Sequence, residues 1–220
     1  MHKTIQNLLS IQSLINSKLL DLNEKNRIPK IIAVSKTFKI EHILPLIEYG
    51  HLDYGENKVQ EALEKWTDIK IKNDKINLHL IGKLQTNKVK FAVKTFDYIH
   101  SLDNKKLAIK IADEQQKQNK KVKIFIQINI GQEDQKSGIL ISDLLEFYNF
   151  SKNLGLDIIG LMCIPPLNEE PSNFFLKMNE LNDKINQKEL SMGMSSDYLK
   201  AVEHQSTFLR IGSNIFGQRG

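Results

Sequence analysis

The feature that most constrains the fold of this 220-residue chain is a regular alternation of short apolar runs with longer amphipathic segments. Short runs rich in β-branched side chains are typical of buried strands. They lie at residues 30–35, 52–55, 77–82, 97–101, 122–130, 157–163, 189–193 and 207–212. Segments with helical periodicity precede the first run and fill every gap, at residues 2–25, 40–49, 58–69, 86–94, 104–118, 138–152, 172–187 and 196–204.

Strands that alternate with helices predict a parallel sheet whose strands are joined by right-handed crossover connections. The fold class is therefore α/β, and we expect a single (β/α)8 TIM-type barrel with an extra N-terminal helix. An open, doubly wound sheet is the alternative, because the pattern does not show whether the sheet closes. No linker, low-complexity tract or repeat interrupts the series, so one domain over residues 1–220 is expected.

The composition and the N-terminal residues indicate the cellular compartment that we expect for this protein. The hydrophobic share of 40% and the charged share of 26% are those of an ordinary globular protein. No apolar window is long enough to span a membrane, and residues 1–7 lack the pattern of a secretion signal. Cys163 is the only cysteine, which excludes an internal disulfide, and the six histidines show no metal spacing. We therefore expect a reducing, cytoplasmic location, with no membrane partner and no bound metal.

The net charge of +5 invites a nucleic-acid hypothesis, but the kind of basic residue argues against it. Only three of the 31 basic residues are arginines, although arginine is the preferred contact for phosphates and base edges. The lysines are mixed with acidic residues, as in 58–65, which is typical of a solvated helix face. The sequence therefore predicts no nucleic-acid partner, and it makes Arg210, inside a strand-like run, conspicuous.

The first predicted strand ends abruptly on Lys36, directly after the apolar residues 31–34. A lysine at the mouth of a buried strand loses hydration, which lowers its pKa and leaves a neutral amine able to attack a carbonyl group. The alternative is an ordinary solvated lysine after a strand, which is the commoner situation for this residue type.

Polar side chains follow the predicted strands where each strand ends, which is where (β/α)8 barrels place their active groups. They are Lys36, Glu56, Asn57, Lys83, Gln85, Ser101, Asp103, Asn129, residues 191–195 and residues 210–213. Gly212 and Ser213 could offer backbone N–H groups to an anion, and Ser195 could add a hydroxyl and the dipole of its helix. The alternative is that Ser195 caps its helix and that Gly212 turns the chain.

An anion site on strands seven and eight would lie beside an amine on strand one, because strands one and eight are neighbours in a closed barrel. This combination points to a phosphorylated carbonyl compound. His79 lies between apolar residues and is expected to be a satisfied core residue rather than a catalytic group. Met162, Met192 and Met194 lie near strand ends, where they could pack against a flat aromatic ring or fill the core.

A series of short motifs runs in order over nearly the whole chain. They are Ala33–Lys36, Tyr54–Asn57, Val59–Glu61, His79–Gln85 with Asn87 and Lys88, Gln127–Asn129, Lys136–Gly138, Gly160–Met162, Leu190–Ser195 with Asp197, and Arg210–Ser213 with Ile215–Gly217. With these motifs the chain resembles the pyridoxal phosphate homeostasis proteins, also called the YggS or proline-synthase co-transcribed family. The segment Ser191–Ser195 and the strand that ends on Lys36 are specific together, whereas neither would suffice separately.

The resemblance implies the barrel fold of the N-terminal domain of alanine racemase, with pyridoxal 5′-phosphate (PLP) bound to Lys36 as a Schiff base. The cofactor-binding residues that it implies are Lys36, Asn57, Lys136, Met192, Ser195, Arg210, Gly212 and Ser213. Arg210 is expected to face the pyridine nitrogen, while Ser195, Gly212 and Ser213 hold the phosphate.

The other three residues have less central roles by the same resemblance. Asn57 and Met192 are expected to line the pocket. Lys136 stands where the racemases place an arginine near the phenolic oxygen of the cofactor, a role that Lys136 could keep. Ser213 replaces a threonine that is frequent in the family, and it keeps the hydroxyl.

An arginine at the ring nitrogen limits the chemistry of PLP. A permanently charged guanidinium leaves that nitrogen unprotonated, which weakens the electron sink that stabilises a carbanion. Racemisation also needs an acid/base group on each face of the α-carbon. Lys36 could supply one, whereas the racemases take the other from a second domain that this chain is expected to lack.

The sequence therefore predicts a carrier or buffer for PLP homeostasis without robust catalysis. We expect a monomer, with PLP as its small-molecule partner and apo forms of PLP-dependent enzymes as the candidate recipients. Two alternatives stay open. The first is a PLP-dependent amino-acid racemase or related enzyme of low activity, and the second is a Schiff-base aldolase that acts on a phosphorylated sugar.

Overall fold

The structure is a computed structural model that describes residues 1–133 and 135–218, so that Asp134, Arg219 and Gly220 of the expected domain 1–220 lie outside the described residues. Its strands are β1 (Lys30–Val34), β2 (Asp53–Glu56), β3 (Asn77–Leu80), β4 (Tyr98–Leu102), β5 (Lys123–Ile128), β6 (Asp157–Cys163), β7 (Glu189–Met194) and β8 (Phe208–Ile211). All of them run parallel and pair in sequence order, and β1 also pairs with β8. The sheet is therefore closed, which confirms the (β/α)8 barrel and excludes the open sheet.

Helices cover the outside of the barrel. They are α1 (Lys3–Asp21), α2 (Ile40–Tyr49), α3 (Val59–Lys72), α4 (Val89–Thr95), α5 (Lys105–Gln118), α6 (Leu144–Asn153), α7 (Ser172–Lys184), α8 (Tyr198–Glu203) and α9 (Ser213–Phe216). The extra N-terminal helix, α1, packs against α2, α8 and α9. It does so through an apolar stripe, because Leu8, Ile11, Ile15 and Leu19 recur at helical spacing and are buried. Within the described residues, we find no helix with the length and apolar character needed to cross a membrane.

The alternation of side chains along each strand divides the core into two layers. One layer lies between the barrel and its helices, where Tyr54 of β2 packs on Trp66 of α3 with ring centroids 4.7 Å apart. The other fills the inside of the barrel with a separate buried cluster of Ile32, Tyr98, Phe125, Met162 and Phe208. The interior is thus a packed core, and a ligand can be held only at one of its ends.

The structure differs from the predicted elements mainly after β5. The helix expected over 138–152 begins only at Leu144, after a 3-10 turn at Ile141–Asp143. The reason is that Ile139 exchanges backbone hydrogen bonds with the end of β5, donating to Gln127 and accepting from Asn129, each at 2.9 Å. The sequence pattern also missed α9, which is only one turn long.

Candidate functional site

A cavity of about 790 Å³ opens at the carboxyl ends of the strands. Seven of the eight residues that the sequence predicted for cofactor binding line it: Lys36, Asn57, Lys136, Ser195, Arg210, Gly212 and Ser213. They come from loops after β1, β2, β5, β7 and β8 and from β8 itself, so the closed barrel brings together residues that are distant in sequence. The volume is within the range of about 300–1,000 Å³ that is usual for small-molecule sites.

Lys36 directly follows Ser35 at the end of β1 and is half-buried at the cavity wall. The next residue, Thr37, has a left-handed backbone with φ of +68°, which is strained for a β-branched residue. Its N–H donates to Oε1 of Glu61 at 2.6 Å. Burial raises the pKa of Glu61, but the bonds from Thr37 and Lys65 outweigh this effect and leave it below its usual value. An ionised Glu61 therefore holds the turn that presents Lys36.

A buried carboxylate supports the same turn from the outer side of the sheet. Oε1 of Glu56, whose residue is fully buried, accepts from Oγ of Ser35 at 2.7 Å, from Nζ of Lys65 at 2.9 Å and from Nε1 of Trp66 at 3.0 Å. Lys65 also donates to the carbonyl oxygen of Ser35 at 3.0 Å and to Glu61 at 3.1 Å. These hydrogen bonds connect β1, β2 and α3, and they therefore fix the position of the backbone that precedes Lys36.

Arg210, in β8, lines the floor of the cavity and is 4% exposed. Its Nη1 donates to Oγ of Ser191 at 2.6 Å, and its Nη2 donates to the carbonyl oxygen of Cys163 at 2.8 Å. Burial lowers the pKa of Arg210, while Cys163 and Asp197 act in the opposite direction. A guanidinium has five N–H donors, so these two bonds fix its orientation and leave other donors for a group in the cavity.

Backbone N–H groups after β8 converge on the hydroxyl of Ser195. The N–H of Gly212 lies 3.3 Å from Oγ of Ser195, and the N–H of Asn214 lies 3.4 Å from the same atom. The side-chain amide of Asn214 donates to the carbonyl oxygen of Ser195 at 2.9 Å, which joins the loops after β7 and β8. Ser213 lies between these two N–H groups in the chain and is exposed. This group, which we call the N–H cradle (Ser195 and residues 212–214), suits a tetrahedral oxyanion.

Two glycines allow other lining residues to reach the cavity. A Cβ on Gly138, whose φ is +123°, would lie 2.4 Å from the backbone nitrogen of Asn129, so only glycine lets the segment with Lys136 pack on the end of β5. A Cβ on Gly82 would lie 2.4 Å from the backbone oxygen of Asn57. Lys136 itself forms an ion pair with Glu133 and donates to the carbonyl oxygen of Pro165 at 3.3 Å.

The expectation that Met192 lines the pocket is wrong. Met192 is fully buried in the layer between the barrel and its helices, and Met194 lines the cavity instead. The alternation along β7 is interrupted here, because its register with β8 shifts between Ser191 and Met194 and Gly193 has a φ of +90°. This irregularity turns the side chain of Met194 inward. A glycine between two methionines was the only sequence signal for it.

The sequence predicts no functional site inside the barrel below the cavity. His79 is fully buried there and hydrogen-bonded, as expected for a core histidine. Its partner His100 is not among the predicted functional residues, and Ser191 appears there only as part of the segment 191–195, because a pattern along the chain does not show which strands face each other. Both lie within two hydrogen bonds of Arg210.

The cavity has a marked positive character. Its described lining includes Lys36, Lys83, Lys136 and Arg210, and it includes no aspartate, glutamate, histidine, cysteine or tyrosine. Among the residues that the structure describes, no cluster of three or more His, Cys, Asp or Glu side chains could hold a metal ion. An amine, a guanidinium and an N–H cradle around one space fit a compound with an anionic end and a carbonyl group, and PLP has both.

Comparisons with known proteins give the family. The sequence-family model for the alanine racemase N-terminal domain matches residues 15–220 of this chain. The pyridoxal phosphate homeostasis protein of Pasteurella multocida is 36% identical, with 97% of each chain covered. That of Aquifex aeolicus is 38% identical, covering 86% of this chain and 87% of the relative. Among solved structures, PipY of Synechococcus elongatus with PLP bound aligns with a TM-score of 0.80 at 30% identity, covering 92% of this chain and 100% of PipY.

Proposed function

Since the chain belongs to the family of the pyridoxal phosphate homeostasis proteins, within the alanine racemase N-terminal domain family, we propose that it binds PLP in this cavity as a single domain and serves PLP homeostasis. The observation that carries the proposal is the meeting of Lys36 and the N–H cradle in one cavity. The relatives' names state the homeostasis role, and the PipY structure contains PLP.

Each part of PLP has a candidate partner among the lining residues. Condensation of the PLP aldehyde with the amine of Lys36, with loss of water, would form a C=N bond and supply the attachment. The N–H cradle would bind the phosphate, with the hydroxyls of Ser195 and Ser213 beside it. Arg210 would donate to the ring nitrogen, and Lys136 and Asn57 would complete the wall.

The lining favours a carrier over a catalyst. A guanidinium at the ring nitrogen keeps that nitrogen unprotonated, so bound PLP would be a weak electron sink. In the described lining, Lys83 and Lys136 are the titratable side chains besides Lys36 and Arg210, so racemisation would have to recruit one of them as its second base. We therefore propose a monomeric PLP buffer that releases PLP to apo forms of PLP-dependent enzymes.

Lys36 can be tested directly. The purified protein, saturated with PLP, should show a visible absorption band, and borohydride reduction with peptide mass mapping should place a pyridoxyl group on Lys36. Lys36→Ala should lose both the band and the adduct. Lys83→Ala is the matched control, because Lys83 also lines the cavity but is exposed, and it should keep both. A pyridoxyl group found only on other lysines would refute the assignment.

Two further measurements separate the functional classes. The PLP-loaded protein should restore activity to an apo PLP-dependent enzyme, and the apo protein should not. Incubation with L-alanine should leave its optical purity unchanged, whereas measurable racemisation would favour the enzyme alternative. A colourless protein that does not bind PLP but cleaves a phosphorylated sugar would favour the aldolase alternative.

A further inference from the structure

A continuous chain of polar side chains crosses the inside of the barrel beneath the cavity. Nε2 of His79 lies 3.0 Å from Oδ1 of Asp53, and Nδ1 of His79 lies 3.0 Å from Nε2 of His100. Nδ1 of His100 lies 2.8 Å from Oγ of Ser191, which accepts from Nη1 of Arg210 at 2.6 Å. We call these five residues the interior chain. It connects Asp53, at the start of β2, with Arg210 at the floor of the cavity.

The interior chain has no access to water along its middle. His79, His100 and Ser191 are each fully buried. The ring of His79 stacks on Tyr98 with centroids 4.3 Å apart, and the ring of His100 stacks on Phe125 at 4.4 Å. Because both rings are held on their faces, neither can rotate without disturbing the barrel core. The hydrogen bonds therefore have fixed partners.

Donor and acceptor counting gives these bonds one direction. The carboxylate of Asp53 can only accept, so Nε2 of His79 carries the proton and a neutral His79 accepts at Nδ1. Nε2 of His100 must then donate to His79, which leaves Nδ1 of His100 as an acceptor. The guanidinium of Arg210 can only donate, so the Ser191 hydroxyl accepts from it and donates to His100. Every contact is satisfied when both imidazoles are neutral and protonated at Nε2.

The surroundings of the two imidazoles favour their neutral forms. Burial lowers the pKa of His79 more than the neighbouring Asp53 raises it. Burial also places the pKa of His100 well below its usual value, and His79 and Arg210 act in the same direction. A positive charge on His100 would lie one hydroxyl away from the guanidinium. Arg210 is thus the cation at this end of the interior chain, and Asp53 is the anion at the other.

We propose that His79 and His100 are positioning residues for Arg210, which they hold through Ser191 as a donor at the floor of the PLP site. This inference rests on the proposed function. The Ser191 hydroxyl donates its proton to His100, so that its oxygen accepts from Nη1 of Arg210 in a fixed direction. The carbonyl oxygen of Cys163 accepts from Nη2 and restrains the other side of the guanidinium. The remaining N–H donors of the guanidinium are then oriented by β6 and β7 before any ligand binds. PLP would meet a preorganised arginine.

The protonation pattern can be measured without PLP. Long-range ¹H–¹⁵N spectra of the ligand-free protein at neutral pH distinguish the two neutral tautomers and the imidazolium form of each histidine. His79→Asn and His100→Asn assign the signals. We expect both residues to be neutral with the proton on Nε2. A proton on Nδ1 of either residue, or an imidazolium form, would overturn the proposed direction of the chain.

The positioning role can be tested with Ser191→Ala, which removes the hydroxyl between His100 and Arg210. We expect PLP affinity to fall about tenfold, as for loss of one hydrogen bond to a charged group, and the absorption maximum of bound PLP to shift. Affinity for inorganic phosphate should not change, because the N–H cradle is intact. Ser206→Ala is the matched control, since Ser206 is also fully buried but its hydroxyl donates to the carbonyl oxygen of Met192 at 2.7 Å.

The outcomes separate this inference from the proposed function. If Ser191→Ala binds PLP with the affinity and spectrum of Ser206→Ala, the interior chain does not position Arg210 and the inference is refuted. If the unaltered protein binds no PLP, the proposed function fails instead, and the role towards PLP fails with it. The histidine tautomers of the ligand-free protein then still test the direction of the hydrogen bonds that lead to Arg210.

Discussion

The carboxylate of Glu56 offers a quantitative test of how the turn that carries Lys36 is held. The change is Glu56→Gln, which keeps the shape of the side chain but removes its charge. Lys65, whose side chain is 9% exposed, then loses the nearer of its two charged partners, at 2.9 Å, and keeps Glu61 and the carbonyl oxygen of Ser35. Weakening one charge-assisted hydrogen bond of this kind costs about 1.5–3 kcal/mol.

The second oxygen of Glu56 adds to this cost. Oε2 is buried and has no hydrogen-bond partner among the described residues, so the glutamine would place an amide NH2 group there without an acceptor. An unsatisfied buried donor costs about 1–3 kcal/mol. The oxygen that accepts from Ser35 and Trp66 is retained and adds no further cost, so we expect Glu56→Gln to lower the free energy of unfolding by about 2.5–6 kcal/mol in total.

Urea denaturation followed by far-ultraviolet circular dichroism measures this loss. With an m-value of about 2–3 kcal/mol/M, the midpoint should fall by roughly 1–3 M. The matched control is Glu146→Gln, because Glu146 pairs with Lys105 at the surface, where the two side chains are 74% and 53% exposed. This control should change the stability by less than about 0.5 kcal/mol. Equal losses in the two variants would refute the view that Glu56 anchors the turn.

Three further predictions concern stability and the cavity. Burial lowers the pKa of His79 and His100 in the folded protein, so unfolding takes up protons below about pH 6.5. The free energy of unfolding should therefore fall as the pH decreases, by up to about 2.7 kcal/mol per pH unit from these two residues together. In urea titrations at several pH values, His100→Asn should remove about half of that slope, and an unchanged slope would contradict the assignment. Gly138→Ala should lower both the free energy of unfolding, measured by urea denaturation, and the affinity for PLP, measured by titration. The control is Gly155→Ala, because Gly155 also has a positive φ, of +74°, but an added Cβ there would have no atom within 4 Å. This control should lower the stability only. Met192→Ala should cost about 2–5 kcal/mol of stability with unchanged PLP affinity per folded molecule, and a selective loss of affinity would restore Met192 to the pocket wall.

Much of the fold could be predicted because hydrophobic periodicity and strand–helix order are local properties of the sequence. The strand candidate 157–163 matches β6, and the helix candidate 40–49 matches α2. The late start of α6 could not be predicted from periodicity. It depends on Gly138, whose positive φ allows the next residue to pair with the end of β5. Contacts between segments override local pattern at such places.

The residues that line the cavity could be predicted from the sequence more completely than the interior chain that lies beneath the cavity. Lys36 and Ser195 were identified because (β/α)8 barrels place functional groups at strand ends, and this rule needs no knowledge of side-chain contacts. The interior chain depends on pairs that are 26, 21 and 91 residues apart, so no short motif contains it. His100 acquires its role only once β4 faces β7 across the barrel.

The two faces of the strands explain how this barrel can keep a cavity rich in positive charge. Lys36 points toward the cavity, whereas Glu56 lies among α3 and the outer face of the sheet, where it pairs with Lys65. Asp53 lies at the start of its strand, at the other end of the interior chain from Arg210. Glu56 and Asp53 are thus separated from the ligand space by packed strands and by neutral imidazoles, respectively. Attraction for an anion is therefore retained in the cavity, because these two buried or partly buried carboxylates lie outside its lining.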